Sequence, residues 1–369
     1  MTTNNSPGLY LTRQVRVCAW RSVMFGVVCI GLAFLPLVTS TGLPKAGAAV
    51  ASSGSQPLGP KGASWGGVSC VSGASCTVVG FANGAAAVIS KHAGRWGAVH
   101  VIAGTAGGTF TAVSCFDALN CTAVGAVGVG SQAPQSVGPM VVEEHQGSWG
   151  RPIRIPGAST DNFGTAFTSV SCWSRGECFA VLTEPQGGMV AREQNGIWGP
   201  AKRLGPDGGS LNDVSCSTPG ICYVVGARAS GSGFSAVFKQ RWHPFSNGHQ
   251  ALSAVSCASA NNCITVGNAR TGSPNYIVEV NGIWSDSIRM QQGHGISFTK
   301  VNCGGTAARC VAIGTDSKHS YSVSLGLKGA TTPKNLGERG LRSLSCPTSN
   351  LCVAVGQRDN KGLVQVFHP

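Results

Sequence analysis

Short β-branched runs alternate with glycine- and serine-rich turns along most of the chain. A representative stretch is "LSAVSCASANNCITVGNA" (Leu252 to Ala269), in which two such runs flank a polar turn between two cysteines. Within each run, apolar or small residues occupy both sets of alternating positions, as expected for a strand that is covered on both faces. The pattern therefore predicts many short β-strands joined by tight turns, and few helices.

The same pattern occurs seven times, each copy with a V-S-C-like start and a second cysteine six or seven positions after the first. The first cysteines follow one another at intervals of 45, 57, 44, 41, 46 and 43 residues. This is the period of a four-stranded propeller blade. The cysteine pairs are Cys70 and Cys76, Cys115 and Cys121, Cys172 and Cys178, Cys216 and Cys222, Cys257 and Cys263, Cys303 and Cys310, and Cys346 and Cys352.

Each repeat can be divided into four strands, a to d. Strand a has a large apolar residue five positions before the first cysteine, and strand b follows the second cysteine and usually ends at a glycine. Strand c leads to a Gly-x-Trp turn, and strand d is expected to follow that tryptophan. Repeats six and seven lack this tryptophan, so their outer strands are the least defined. The tryptophans are Trp96, Trp149, Trp198 and Trp284, with Trp242 in a turn without the glycine.

The two ends of the repeat region complement each other. The last repeat stops after its strand c, while "LGPKGASWGGVSC" (Leu58 to Cys70) aligns without gaps with "LGPDGGSLNDVSC" (Leu204 to Cys216), which connects a strand d to the next strand a. The N-terminal strand is therefore predicted to complete the last blade and to close the ring. The predicted fold is all-β: a seven-bladed β-propeller with four-stranded antiparallel blades, one disulfide in each blade, over residues 49–369.

The paired cysteines lie where the two strands of the a–b hairpin bring side chains about 4.5–5.5 Å apart. This separation suits a disulfide after modest adjustment, and an oxidising compartment would preserve the bond. Zinc binding and redox chemistry are the alternatives, but the pairs lack the two-residue spacing of those sites. Disulfides are therefore predicted, and no metal site, cofactor or catalytic residue is expected.

Residues 1–48 have the pattern of an export signal. Arg13, Arg16 and Arg21 precede an apolar run over residues 23–38, and Ala46-Gly47-Ala48 resembles a cleavage site. An uncleaved membrane anchor at residues 22–40 is the alternative, although the apolar run is shorter than a spanning helix needs. Without this segment the chain keeps 23 basic against 14 acidic residues. We expect a secreted or envelope-associated monomer that binds no nucleic acid, because no compact Lys/Arg run is present.

The "VSC-x5-C-x-A-V-G" run followed by a Gly-x-Trp turn resembles the blades of Asp-box (bacterial neuraminidase repeat) propellers and of photosystem II assembly-factor-like propellers. It is most similar to the Cys-paired repeat proteins exported by high-GC Gram-positive bacteria, although the Asp of the Asp-box turn is absent here. The resemblance implies the propeller fold and says little about activity. Because sialidases share this architecture, a glycoside hydrolase or lyase is the alternative function.

A sialidase-like enzyme would need a Tyr/Glu nucleophile couple, an acid/base Asp and an arginine cluster. Tyr223, Tyr276 and Tyr321 do not stand in a recognisable catalytic setting, so we expect no enzyme activity. His243 and His249 in "WHPFSNGH" could reach one metal ion, but a solvated loop is the simpler interpretation.

Basic residues occur in the b–c turns of repeats four to seven, whereas the corresponding turns of repeats one and two are uncharged. If the ring is closed, these turns emerge on one face and form a basic rim for an anionic envelope polymer or a protein partner. Solubilising turn residues, diluted by Asp316 and Asp359, are the alternative. The sequence therefore predicts an exported binding or scaffold module. The rim residues are Arg228, Arg270, Lys318, His319, Arg358 and Lys361.

Overall fold

A computed structural model describes residues 54–128, 138–159, 165–245, 250–268, 273–304 and 309–369. In this part of the chain, strands form seven sheets with antiparallel neighbours throughout. Each sheet is one blade, with its strands in the order a-b-c-d. The seven copies of strand a lie next to one another around a ring. The predicted seven-bladed propeller is confirmed.

The strand bounds follow the repeats. In chain order the first strands, through blade three, are β1 (Gln56–Lys61), β2 (Ser64–Ser72), β3 (Ser75–Ala82), β4 (Ala85–His92), β5 (Arg95–Trp96), β6 (His100–Ala106), β7 (Thr109–Asp117), β8 (Asn120–Val127), β9 (Gly138–His145), β10 (Ser148–Trp149), β11 (Ile153–Arg154), β12 (Phe167–Ser174), β13 (Glu177–Glu184), β14 (Gly187–Gln194), β15 (Ile197–Trp198) and β16 (Lys202–Asp207). Blades four to seven continue with β17 (Ser210–Thr218), β18 (Ile221–Ala227), β19 (Gly233–Lys239), β20 (Arg241–Phe245), β21 (Leu252–Ser259), β22 (Asn262–Asn268), β23 (Pro274–Val280), β24 (Ile283–Trp284), β25 (Ile288–Arg289), β26 (Ser297–Cys303), β27 (Cys310–Thr315), β28 (His319–Gly326), β29 (Gly329–Ala330), β30 (Lys334–Glu338), β31 (Leu341–Thr348), β32 (Leu351–Arg358) and β33 (Lys361–Phe367).

The outer strand d differs from the expected one in most blades. In blade one it consists of two segments, β5 and β6, which both pair with β4. Trp96 lies inside the first segment, opposite Lys91, so strand d begins at the Gly-x-Trp turn and does not follow it. Blades two, three, five and six have the same interruption, while blade four has the continuous strand β20. Blade six therefore keeps an outer strand, β29 and β30, without the tryptophan.

The N-terminal strand closes the ring as predicted. β1 pairs antiparallel with β33, with Gln56 opposite Val364, and so supplies the outer strand of blade seven. The indole of Trp65 donates a hydrogen bond to the Leu58 carbonyl over 2.9 Å, which ties this strand to β2. A Cβ at Gly362 would lie 2.2 Å from Trp65 Nε1, so this close approach requires glycine.

The core lies between neighbouring blades because both faces of each sheet are covered. The large apolar residue at the start of each strand a is at most 3% exposed: Trp65, Phe110, Phe167, Leu211, Leu252, Phe298 and Leu341. Just after this residue, strand a has a bulge that brings its backbone against the end of strand b. A Cβ at Gly80 would lie 2.0 Å from the Ser64 carbonyl oxygen, which explains the glycine that ends strand b.

All seven cysteine pairs form disulfides within the a–b hairpins. Their Cα atoms are 4.0–4.2 Å apart, and in most blades the two cysteines are directly opposite in the ladder. The disulfide prediction is confirmed. In the described ranges, no helix is long and apolar enough to span a bilayer. The predicted export segment, residues 1–48, lies outside those ranges and stays a prediction.

Candidate functional site: the b–c face and the central channel

The turns divide the ring into two faces. The a–b and c–d turns meet on one face, where Gly94 N–H donates to the Ala74 carbonyl over 3.0 Å; we call this the disulfide face. The b–c turns and the d–a connections meet on the other, where Gly107 N–H donates to the Gly84 carbonyl over 2.8 Å; we call this the b–c face. The basic turns singled out in the sequence therefore lie on the face opposite the disulfides.

The predicted rim residues occupy three blades of this face. Arg228 lies in blade four, with its guanidinium 5.6 Å from the centre of the Phe234 ring. Lys318 and His319 lie in blade six, and Arg358 and Lys361 in blade seven. Arg270 lies outside the described residues. Arg228 is thus separated by blade five from the other rim residues.

Acidic residues lie within the same turns. Asp316 accepts hydrogen bonds from the backbone N–H groups of Lys318 and His319, over 2.7 and 2.6 Å, and from the Tyr321 hydroxyl. These bonds lower the pKa of Asp316 and keep it ionised. Arg358 Nε is 3.5 Å from Asp359 Oδ2. Each carboxylate therefore offsets part of the positive charge of its own turn.

Two further basic residues, which lie outside the b–c turns, reach this face at the d–a connections. Arg339 N–H donates to the Lys318 carbonyl over 2.7 Å, so the two residues are adjacent in blade six. Lys61, in the closing strand, stands directly opposite Lys361 in blade seven. Closure of the ring, which was predicted from the sequence, was the signal that could have placed Lys61 there. We call Lys61, Lys318, Arg339, Arg358 and Lys361 the basic arc.

A channel of about 280 Å³ runs through the centre of the ring, between the seven copies of strand a. The residue before the first cysteine of each repeat lines it and accepts a hydrogen bond from the backbone N–H of the first cysteine in the next blade, over 2.9–3.0 Å. These seven bonds form a closed circle between blades. The acceptors are Ser69, Ser114, Ser171, Ser215, Ser256, Asn302 and Ser345.

An ion pair, buried at its aspartate and partly exposed at its lysine, crosses the channel. Lys300 Nζ in blade six lies 2.6 Å from Asp213 Oδ1 in blade four, and the Asp213 side chain is 2% exposed. Asp213 Oδ1 also accepts a bond from Ser169, and Oδ2 accepts one from Val255 N–H. Asp213 thereby joins four blades. Its carboxylate is the only one in the described channel lining, and both of its oxygens are engaged.

Arg342 lines the channel one position nearer the b–c face than the level of Asp213 and Lys300, and it is exposed. It belongs to blade seven, which also carries Arg358 and Lys361. The sequence signal for Asp213, Lys300 and Arg342 was weak. At the same positions, three or four before the first cysteine, other repeats have small or polar residues such as Gly67 and Ser253.

A hydrogen-bonded tyrosine and glutamate do occur, but both side chains are buried. Tyr223 OH in blade four donates to Glu279 Oε1 in blade five over 2.7 Å, and the two residues are 3% and 2% exposed. Burial raises the pKa of both groups. A substrate has no access to this pair in the folded ring, so it does not form the Tyr/Glu couple of a sialidase.

Within the described ranges, no three His, Cys, Asp or Glu side chains are grouped so that they could hold a metal ion. His243 lies in β20, where it pairs with Val237. Its suggested companion, His249, falls outside the described part of the chain.

No family model matches the chain, and no curated protein matches it in sequence. Solved propeller structures do match. The chain is similar to the structure of U3-55K, with TM-score 0.58 and 11% identity, over 86% of this chain and 99% of that one. It is also similar to the RRP9 WD40 repeats, with TM-score 0.59 and 12% identity, over 86% of this chain and 98% of that one. A chain of the Mitotic Checkpoint Complex is also similar, with TM-score 0.58 and 10% identity, over 92% of this chain and 99% of that one.

At these identities the comparisons establish the propeller fold and nothing narrower. The described surface adds two features that are chemically suited to recognition: a basic arc over blades six and seven, and a polar channel mouth beside it with Arg342. Both face the same side of the ring. Such an arrangement attracts anions by its field.

Proposed function

We propose that this chain is an exported, non-catalytic propeller that acts as a binding or scaffold module at the cell envelope, and that the basic arc binds an anionic polymer there. The observation that carries the proposal is the pairing of Lys61 with Lys361 in direct register. Like charges placed directly opposite in a sheet destabilise it, and an anion bound between them removes that repulsion.

The neighbouring charges support the same choice of ligand. Arg339 and Lys318 are joined through their backbones in blade six, and Arg342 lies at the channel mouth of blade seven. Their positive charges add over a surface wider than one turn. Extended anionic chains such as teichoic-type polymers or acidic glycans match such a surface better than a single small anion does. A protein partner with an acidic surface is the alternative occupant.

Export is proposed from the N-terminal pattern and from the disulfides together. Seven intra-blade disulfides persist in an oxidising compartment and would be reduced in a cytosol. The resemblance to exported Cys-paired repeat proteins of high-GC Gram-positive bacteria agrees with this location. N-terminal sequencing of protein recovered from the medium tests it: a start near Ala49 supports cleavage, and an intact N-terminus in the membrane fraction supports an anchor instead.

The alternative, a sialidase-like glycoside hydrolase or lyase, has less support. Glycosidases of the common types use two carboxyl groups on either side of the bond that is cleaved. Among the described residues that line the channel, Asp213 is the only carboxylate, and the Tyr223–Glu279 pair is buried. Turnover of any member of a broad chromogenic glycoside panel, lost on Asp213→Asn, would establish the enzyme and overturn the non-catalytic proposal.

Binding is tested with poly(glycerol phosphate) as the anionic probe and neutral dextran as its counterpart, by calorimetry on the full chain. We expect saturable binding of the phosphate polymer that weakens with added salt, and none of dextran. The Arg339→Ser/Lys361→Ser double variant should bind at least about tenfold more weakly. Arg154→Ser/Arg289→Ser removes the same charge from exposed outer positions of blades two and five and is the matched control. Equal weakening in both variants would mean non-specific charge attraction.

A further inference from the structure

A groove of about 670 Å³ lies at the outer edge of the ring, between blades three and four. Its floor is formed by Phe179, Phe238 and Trp242, whose ring centres are 4.8–5.3 Å apart. Its lip carries Ile197, which is 72% exposed. We call this the blade 3/4 groove. Its volume is in the range of sites that take up a ligand.

Arg192 is the unusual residue of this groove. Its guanidinium carbon lies 5.6 Å from the centre of the Phe179 ring and 5.1 Å from that of Phe238, so two aromatic rings hold it. Its Nη2 is 3.8 Å from Glu177 Oε2, a distance too long for a strong hydrogen bond. Arg192 Nε is buried and has no hydrogen-bond partner among the described residues. The side chain is positioned, but its donors are not all used.

The other blades show that this arginine is not part of the repeat pattern. The same position of strand c, opposite the residue that follows the second cysteine, is occupied by small, apolar or acidic residues elsewhere. They are Ser90, Glu143, Val237, Val278, Ser324 and Val366. Glu143 is bonded to the indole of Trp198 in the next blade over 2.7 Å, whereas Arg192 faces an open groove.

The charge of the groove is positive. Lys202 and Arg203 line it together with Arg192, and Arg203 is already paired with Asp207 across 2.5 Å. Arg192 has only the long contact of 3.8 Å to Glu177 and keeps an unused Nε donor, so Arg192 and Lys202 are the cations that face a ligand. A planar guanidinium pairs with a carboxylate through two parallel hydrogen bonds, and neighbouring aromatic rings favour a bulky apolar group beside it.

We propose that the blade 3/4 groove is a second binding site, which takes a peptide segment of a partner protein with a carboxylate side chain next to a bulky apolar one. The carboxylate pairs with Arg192, and the apolar side chain packs on Trp242 under Ile197. Arginine and tryptophan in a concave apolar setting are the residues that most often dominate protein interfaces. The hydroxyl groups of a glycan would find few polar partners along this apolar floor.

The site is tested with a phage-displayed library of random twelve-residue peptides, selected on the full disulfide-bonded chain. We expect the enriched peptides to share an Asp or Glu beside Phe, Trp, Leu or Ile. A synthetic enriched peptide should bind wild type saturably. The same peptide with its Asp or Glu replaced by Asn or Gln should bind at least about tenfold more weakly. Enrichment of peptides without an acidic residue, or no enrichment, would overturn the proposal.

Variants locate the site. Arg192→Gln should weaken the peptide at least about tenfold, and Arg192→Lys should also weaken it because the point charge lacks the planar fork. Ile197→Ser changes an exposed side chain, so it tests the lip even if Arg192→Gln proves unstable. Arg154→Gln, on the outer edge of blade two, should change binding by less than about twofold. Full binding by both groove variants would also overturn the proposal. The Arg339→Ser/Lys361→Ser variant should bind the peptide normally, so this outcome is independent of the basic arc.

Discussion

Ser345 Oγ accepts a hydrogen bond from the backbone N–H of Cys70 over 2.9 Å, although the two residues are 275 positions apart. This bond joins blade seven to blade one. Equivalent bonds join each of the six remaining pairs of neighbouring blades. In the sixth blade Asn302 takes the place of serine. The serine of the V-S-C motif thus connects blades, while the cysteine beside it pins a hairpin within one blade.

Loss of one bond of this circle should destabilise the fold. Ser345→Ala leaves the Cys70 N–H without its acceptor, and an unsatisfied donor that is partly buried costs about 1–3 kcal/mol. The free energy of unfolding from urea titration should fall by that amount. Ser148→Ala, at an exposed serine, should change it by less than about 0.5 kcal/mol. Equal stability of Ser345→Ala and wild type would show that water replaces the bond.

The ion pair of Asp213 and Lys300 should show strong coupling. Lys300→Met leaves the buried carboxylate of Asp213 without its cation; because the Lys300 side chain is 26% exposed, the cost should be at most about 3 kcal/mol, less than for a fully buried pair. Asp213→Ala/Lys300→Met removes both charges, so the double variant should be more stable than Lys300→Met alone. A double-mutant cycle in urea measures this coupling. Additive losses would mean that the pair is solvated in the folded chain.

Each disulfide should make a moderate contribution. Replacing Cys115 and Cys121 together by alanine opens a ring of about seven residues, for which loop entropy gives about 2 kcal/mol. The unfolding free energy of this variant should fall by about that amount under oxidising conditions. Under dithiothreitol the difference from wild type should disappear, because both chains then lack the bond. A difference that persists would point to altered packing.

The stability should decrease as the pH rises above about 4.5. Burial, the larger cause, and the negative charge of Asp117, the smaller one, raise the pKa of Glu144 from its ordinary 4.5 to about 7. Between these values the folded chain binds more protons than the unfolded chain, so unfolding becomes easier with rising pH. The effect is at most roughly 3 kcal/mol and is complete above the folded pKa. Glu144→Gln should be more stable than wild type at pH 8 and should show a smaller pH slope in thermal unfolding. A slope identical to that of wild type would show that Glu144 ionises freely.

The sequence alone located the blades because each blade is a local unit. The cysteine spacing marked every a–b hairpin, and the glycine after strand b marked the close approach to strand a, as at Gly80. Closure by the N-terminal strand followed from the likeness of the segments before Cys70 and Cys216. The sequence-based prediction placed the start of strand d a few residues too late. Tryptophans such as Trp96 close the c–d turn and already pair with strand c.

Only the tertiary structure decided which residues meet between blades. Asp213 and Lys300 are 87 positions apart and contact each other because the ring curves back across its channel. Lys61 joins the basic arc through strand pairing with Lys361, and Arg192 becomes notable through its two aromatic neighbours in different blades. The physical reason is that strand pairing within a hairpin depends on local alternation and turns, which the sequence states directly. Contacts between blades depend on the curvature and closure of the whole ring, which no short stretch of sequence contains.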